Sequence, residues 1–178
     1  MEMKYLLAGL LLLAAPAEPP HVRAVVTPVA DRQAAPAFQL VAASNTLTPL
    51  SAYRGKIVLL DFWATECGGC KVEIPWFMDL ARQYASSGLK VVGVSEDIPY
   101  EGLKDAADAW RRVKPFMERQ KINYTIVMGD DAVTKAYRIT ALPVTYLIDR
   151  QGRIAAEYVG LVDKDDIERN IKVLLKER

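Results

Sequence analysis

Residues 56–63, Lys-Ile-Val-Leu-Leu-Asp-Phe-Trp, constrain the fold more than any other stretch of the chain. A run this short and this apolar reads as a β-strand buried on both faces, because a half-exposed strand would alternate with polar residues. Such a strand needs a layer on each side of its sheet, and the sequence supplies helices. Trp76, Phe77, Leu80, Ala81 and Tyr84 recur at helical spacing, and Gly88 suits the turn that ends that helix. Val91 to Val94 and Tyr124 to Met128 read as further buried strands. Asp97 to Gln120 reads as mostly helical, with Leu103, Ala107, Trp110, Val113 and Met117 inward and Pro115 kinking the helix or starting a second one. A short helix follows from Asp131 to Tyr137. Val144 to Ile148 and Arg153 to Val159 form a hairpin through Asp149-Arg150-Gln151-Gly152, and Asp163 to Leu175 is a closing amphipathic helix. Ala37 to Val41, turning at Ser44-Asn45-Thr46 and returning through Leu47, adds a strand pair at the front. This alternation predicts an α/β fold with a mixed central sheet flanked by helices.

Cys67-Gly68-Gly69-Cys70 falls between the long buried strand and the helix after it. The first cysteine sits where unpaired N–H groups and the positive end of a helix dipole favour a thiolate, which makes Cys67 the better nucleophile. Cys70, one turn into the helix, is within reach for a disulfide and is the more enclosed thiol. Redox chemistry, a static bridge and half of a zinc site are the three readings of the pair. Zinc would need two further ligands, and a bridge closing so small a loop removes little chain entropy. Two acids flank the pair. Asp61 lies within the apolar strand, so desolvation should raise its pKa and let it exchange a proton with Cys70. Glu73 follows Cys70 by three residues on the same helix face. Each has a plainer reading, Asp61 as a hydrogen-bonded strand acid and Glu73 as a solvated first-turn acid.

Charge excludes a dedicated polyanion binder: 23 basic residues against 22 acidic ones leave nothing to drive nucleic-acid binding. The only histidine, His21, lies in a Pro/Ala-rich stretch and reads as solvated rather than catalytic. Residues 1–17 carry Lys4, an apolar run from Tyr5 to Ala15 and the small-residue pattern Ala15-Pro16-Ala17, which together read as a signal peptide or an uncleaved anchor. Residues 18–36 read as an extended tether, and 37–178 as one domain. The domain is therefore expected outside the cytoplasm, touching the membrane only through that N-terminal anchor.

Asp61-Phe62-Trp63-Ala64, the Cys67/Cys70 pair and Pro75 resemble the active-site pattern of thioredoxins. Leu142-Pro143-Val144-Thr145-Tyr146-Leu147-Ile148-Asp149 with Gly152 resembles their cis-proline strand and hairpin. The leading strand pair, Tyr53-Arg54-Gly55-Lys56 and Glu73-Ile74-Pro75 narrow the likeness to the TlpA/ResA-like thiol–disulfide oxidoreductases of the bacterial cell envelope. The resemblance implies a thioredoxin-like fold with added N-terminal strands and a redox-active Cys67–Cys70 disulfide, without metal or cofactor. It makes Cys67, Cys70, Glu73 and Asp61 the catalytic candidates, and Trp63, Glu66, Gly68, Gly69, Leu142 and Pro143 the substrate-binding ones. Glu66 stands where the family has tryptophan, and Gly69 where proline is common. Implied partners are protein thiol and disulfide substrates, apocytochrome c among those of relatives, and a membrane electron donor for re-reduction. Two alternatives differ in class. A thiol peroxidase would want a threonine where Ala64 stands, and a copper-delivery module would want a histidine in the core.

Overall fold

The computed structural model describes residues 20–177. The expected signal or anchor at 1–17 lies outside the described residues. Among those described, no helix is long and apolar enough to cross a membrane.

Seven strands and five α-helices follow in the order β1 (Gln39–Val41), β2 (Leu47–Pro49), β3 (Ile57–Trp63), α1 (Gly68–Tyr84), β4 (Leu89–Ser95), α2 (Asp97–Glu101), α3 (Ala106–Gln120), β5 (Thr125–Met128), α4 (Asp131–Ala136), β6 (Val144–Ile148), β7 (Ile154–Val159) and α5 (Lys164–Lys176). Five strands form one sheet in the order β5-β4-β3-β6-β7; β3, β4 and β5 run parallel, while β6 and β7 are antiparallel to their neighbours. The mixed sheet expected from the alternation is thus present, with the apolar run of residues 57–63 at its centre. The front strands form a separate antiparallel pair, β1 with β2.

Side chains of β3 alternate between two layers, as the two-residue period of a strand requires. Val58, Leu60 and Phe62 pack with the β1–β2 pair and with Val133 and Tyr137 on the α4 side. Ile57 and Leu59 pack against Phe77 and Leu80 of α1 and Ile167, Ile171 and Leu174 of α5. Trp63 continues that second face toward Ile74 of α1 and Val113 of α3.

Two expectations are corrected. The helical stretch breaks at Gly102, in a left-handed conformation (φ 63°), and Asp105 caps a new helix by accepting the N–H of Asp108. Pro115 lies inside α3 without starting a helix. Leu103, Trp110, Val113 and Met117 pack inward as expected, joined by Ala109 and Phe116, while Ala107 is exposed. The second correction concerns the tether. Residues 20–36, extended except for a single 3-10 turn at Val29–Asp31, are not free: they lie along β7, the last strand of the sheet. Thr27 N–H donates to Ala155 O, Ile154 N–H to Gln33 O and Ala35 N–H to Gly152 O, at 2.8, 2.8 and 3.0 Å. The strip covers an edge whose unpaired backbone groups would otherwise face outward.

Candidate active site

The turn that leaves β3 is held from the neighbouring strand. Asp97, buried just past β4, accepts hydrogen bonds from the N–H and hydroxyl of Thr65 and from the hydroxyl of Ser95. This clamp fixes Thr65, two residues before Cys67, and α1 starts just beyond it.

Cys67 and Cys70 are joined in a disulfide across the first turn of α1, with Cα atoms 5.3 Å apart. Cys67 is the N-cap of that helix, its sulfur accepting the N–H of Cys70 at 3.2 Å. A helix start offers unpaired donors and partial positive charge, so it stabilises a thiolate at Cys67 once the bond opens. Cys67 is 6% exposed and Cys70 0%. Cys67 is thus the less enclosed end of the bond, and Cys70 lies wholly inside.

Pro143 follows Leu142 through a cis peptide bond and packs against the helix start. A Cβ on Gly69 would stand 3.2 Å from the Cδ of Pro143, so the glycine between the cysteines is what lets the ring lie that close. Gly68 is exposed and open. Glu66 is exposed too, within 3.5 Å of Lys71. Leu142 is half-buried against the cluster that contains both cysteines. Trp63 differs from expectation. It is fully buried, its ring 5.4 Å from that of Phe116, and so gives no surface to a substrate.

Asp61 and Glu73 are both fully buried. Asp61 shares the α1-facing side of β3 with Leu59 and Trp63. Neither of its carboxyl oxygens has a hydrogen-bond partner among the described residues. Glu73 Oε1 accepts the N–H of Val162 at 2.6 Å, and Oε2 has no partner. Burial pushes Asp61 well above the usual carboxylate range, past neutrality, against the pull of the Thr145 hydroxyl opposite it on β6. Burial and then the charge of Asp61 push Glu73 the same way, against the pull of the Val162 N–H. Tyr124, its hydroxyl also buried without a partner, is raised by burial and then by both carboxyls. The three polar groups form one enclosed cluster that holds protons at neutral pH.

Sequence reasoning missed Asp97, Thr65, Tyr124 and the Val162 N–H. Asp97 carries a usable signal, since it follows the carboxyl end of a parallel strand, where α/β sheets place their sites. The backbone donor of Val162 has none. His21 is exposed at the edge of Trp76, ring centroids 6.0 Å apart. No three His, Cys, Asp or Glu side chains gather as a metal set among the described residues.

Residues 32–157 match the family model described as AhpC/TSA family. The thiol-disulfide oxidoreductase ResA of Geobacillus kaustophilus is 34% identical over 147 residues, 82% of this chain and 79% of that protein. The thioredoxin-like protein YneN of Bacillus subtilis is 29% identical, over 80% of this chain and 79% of its own length. Among solved structures, a putative thiol:disulfide interchange protein DsbE from Chlorobium tepidum superposes with a TM-score of 0.71 at 27% identity, covering 81% of this chain and 96% of that one. With a cysteine pair at a helix start, a proline packed on it and this five-stranded mixed sheet, the chain belongs to the AhpC/TSA family and, within its thioredoxin-like fold, to the ResA-like thiol–disulfide oxidoreductases.

Proposed function

We propose that this oxidoreductase works outside the cytoplasm as a reductase of protein disulfides, with Cys67 as nucleophile, Cys70 as resolving thiol and the Asp61–Glu73 pair as its proton store. One observation carries the reading: the less enclosed Cys67 is bonded to a fully buried Cys70, and two fully buried carboxyls, Asp61 and Glu73, lie between β3 and α1 behind that bond. In the disulfide state those carboxyls hold protons. When a dithiol donor opens the bond, its thiolate bonds to Cys67, and the Cys70 sulfur leaves as a buried thiolate. One carboxyl supplies it a proton, and the donor's second thiol releases the reduced pair. On reaction with substrate the sequence reverses. The Cys67 thiolate attacks a substrate disulfide, a mixed disulfide forms, and one substrate sulfur departs. Cys70 returns its proton to the carboxylate, attacks Cys67 and expels the second substrate sulfur.

The donor's place in the membrane and a role in cytochrome c maturation follow from the family likeness and the signal-like N-terminus. They belong to this proposal. Gly68, Gly69, Leu142 and Pro143 would form the docking surface for the substrate chain, with Glu66 at its margin. Equilibrating the domain from Glu18 onward against dithiothreitol and glutathione buffers tests the direction. A potential near that of thioredoxin, about −270 mV, is expected; one near −120 mV, that of a strong oxidant, would make it a disulfide donor instead.

A further inference from the structure

A second feature of the molecule lies beside the disulfide, where α2 faces the loop that ends in Leu142. The two enclose a pocket of about 200 Å³ whose lining includes Pro99, Tyr100, Ile139 and Leu142 together with Glu96 and Thr134. Leu142 joins it to the reactive centre, because this residue precedes Pro143 and also packs on the cluster containing Cys67 and Cys70. Tyr100, 55% exposed, stands at the pocket as a large apolar side chain facing solvent.

Glu96 is the anomaly of this pocket. It is 1% exposed, at the end of a strand and not on the surface where glutamates belong. Thr134 Oγ1 donates to its Oε2 at 2.5 Å, and its Oε1, held over Gly129, has no partner at all. Asp97, Asp130 and Asp131 add negative charge around it, and no basic side chain lines the pocket among the described residues. A buried carboxyl with an idle oxygen, in an apolar pocket without a counter-ion, is costly for the protein alone. A cationic side chain entering the pocket from outside would supply the missing counter-charge. Burial, with the neighbouring acids adding to it, holds the Glu96 carboxyl up to about 7, so an approaching cation meets a group ready to ionise.

We infer that this pocket is a specificity subsite that receives a lysine or arginine side chain of the substrate polypeptide, next to the cysteine that Cys67 attacks, with Glu96 as its counter-charge. The inference rests on the reductase reading and names the class of substrate that reductase prefers: a disulfide flanked by a basic residue.

The test uses cyclic peptides closed by one disulfide and identical except for one residue beside the attacked cysteine, which is Lys, Met or Glu. The reduced protein, starting at Glu18, is mixed with each, and kcat/KM is measured with dithiothreitol regenerating the thiols. The order Lys over Met over Glu is expected, with Lys over Met by about tenfold, the scale of a charge-assisted hydrogen bond. Glu96→Gln should bring the Lys-to-Met ratio close to one. Raising the salt should narrow the wild-type ratio, a readout that does not depend on the variant folding. Equal rates for the three peptides in the wild type, or a Lys preference that survives in a folded Glu96→Gln protein, would overturn the subsite while leaving the reductase intact. Reduction of none of the peptides would sink the reductase reading, and the subsite with it.

Discussion

Asp61 is the only ionisable side chain in a strand whose seven residues are all buried, and the one polar group set opposite it is the hydroxyl of Thr145 on β6. A carboxyl in that position opposes folding once it ionises. Its folded-state pKa is raised, so between about pH 4, the ordinary value, and its folded value the native state holds a proton that the unfolded chain has released. The stability this gives is complete below the unfolded value and is lost as pH rises through the folded one. Glu73 acts in the same direction. The oxidised protein should therefore lose stability steadily from pH 5 to 9. Asp61→Leu should be more stable by about 1–3 kcal/mol at pH 8, the scale of an unsatisfied buried polar group, and should show a shallower pH slope. Its turnover with disulfide substrates should fall, because one of the two proton acceptors is gone. Urea unfolding at pH 5 and pH 8 checks this, and a less stable variant at both would make Asp61 a structural partner rather than a tolerated strain. This residue is legible in the sequence because a lone acid interrupts an apolar run. Trp63 is misread as a substrate contact on the family likeness, although the same rule places it two residues on, on the inward face of Asp61, where it is buried. Glu73 was half legible. Its spacing from Cys70 places it on the right face of α1, but the Val162 N–H that fixes it comes from a segment 89 residues away.

At the scale of elements, β4 shows how closely the central layer is packed. Gly93 pairs in register with Asp61, and a Cβ there would stand 2.6 Å from the Cδ1 of Ile126 and 2.8 Å from the Nε1 of Trp63. The glycine makes room for the tryptophan that closes the site's inner wall. Gly93→Val should destabilise the protein by about 1–3 kcal/mol through overpacking, with the loss visible in the midpoint of thermal unfolding. An unchanged midpoint would mean that the Trp63 ring is free to move aside. Strands were the best-read elements, since an apolar run bounded by turn residues leaves few alternatives at this length. The segment 97–120 was read less well. Pro115 is the obvious helix breaker, whereas the break comes from Gly102 and the capping Asp105; of the five residues expected inward, only Ala107 faces out.

For the molecule as a whole, the strip of residues 20–36 changes what counts as the domain. Arg32 lies within it, with a side chain 1% exposed, and its guanidinium reaches Asp149 at 3.2 Å and both carboxyl oxygens of Glu177 at 2.7 Å. The strip is thereby tied to the β6–β7 turn and to the residue that follows α5. Burial alone would raise the Asp149 carboxyl, but the hydrogen bonds from Arg153 and Arg32 outweigh it and hold it below the usual range. Farther along the strip, the N–H of Ala24 donates to the carboxylate of Asp166, and its carbonyl accepts from the side-chain amide of Asn170, both on α5. Composition alone could not reveal any of this: a Pro- and Ala-rich stretch without periodicity looks like a linker, and its partners are more than 100 residues away. A chain beginning at Ala37 should thus unfold more easily than one beginning at Glu18, because it exposes the edge of β7 and leaves Asp149 without one of its two arginines. Arg32→Ala in the longer chain should recover much of that difference, about 3 kcal/mol for breaking a buried ion pair. The deficit should be full above the ordinary aspartate pKa and shrink as pH falls below it toward the lowered folded value of Asp149, because the unfolded chain takes up the proton first. Urea midpoints for the three proteins at pH 7 and pH 3.5 measure it, and equal midpoints for the two chain lengths would return residues 20–36 to the role of a passive tether.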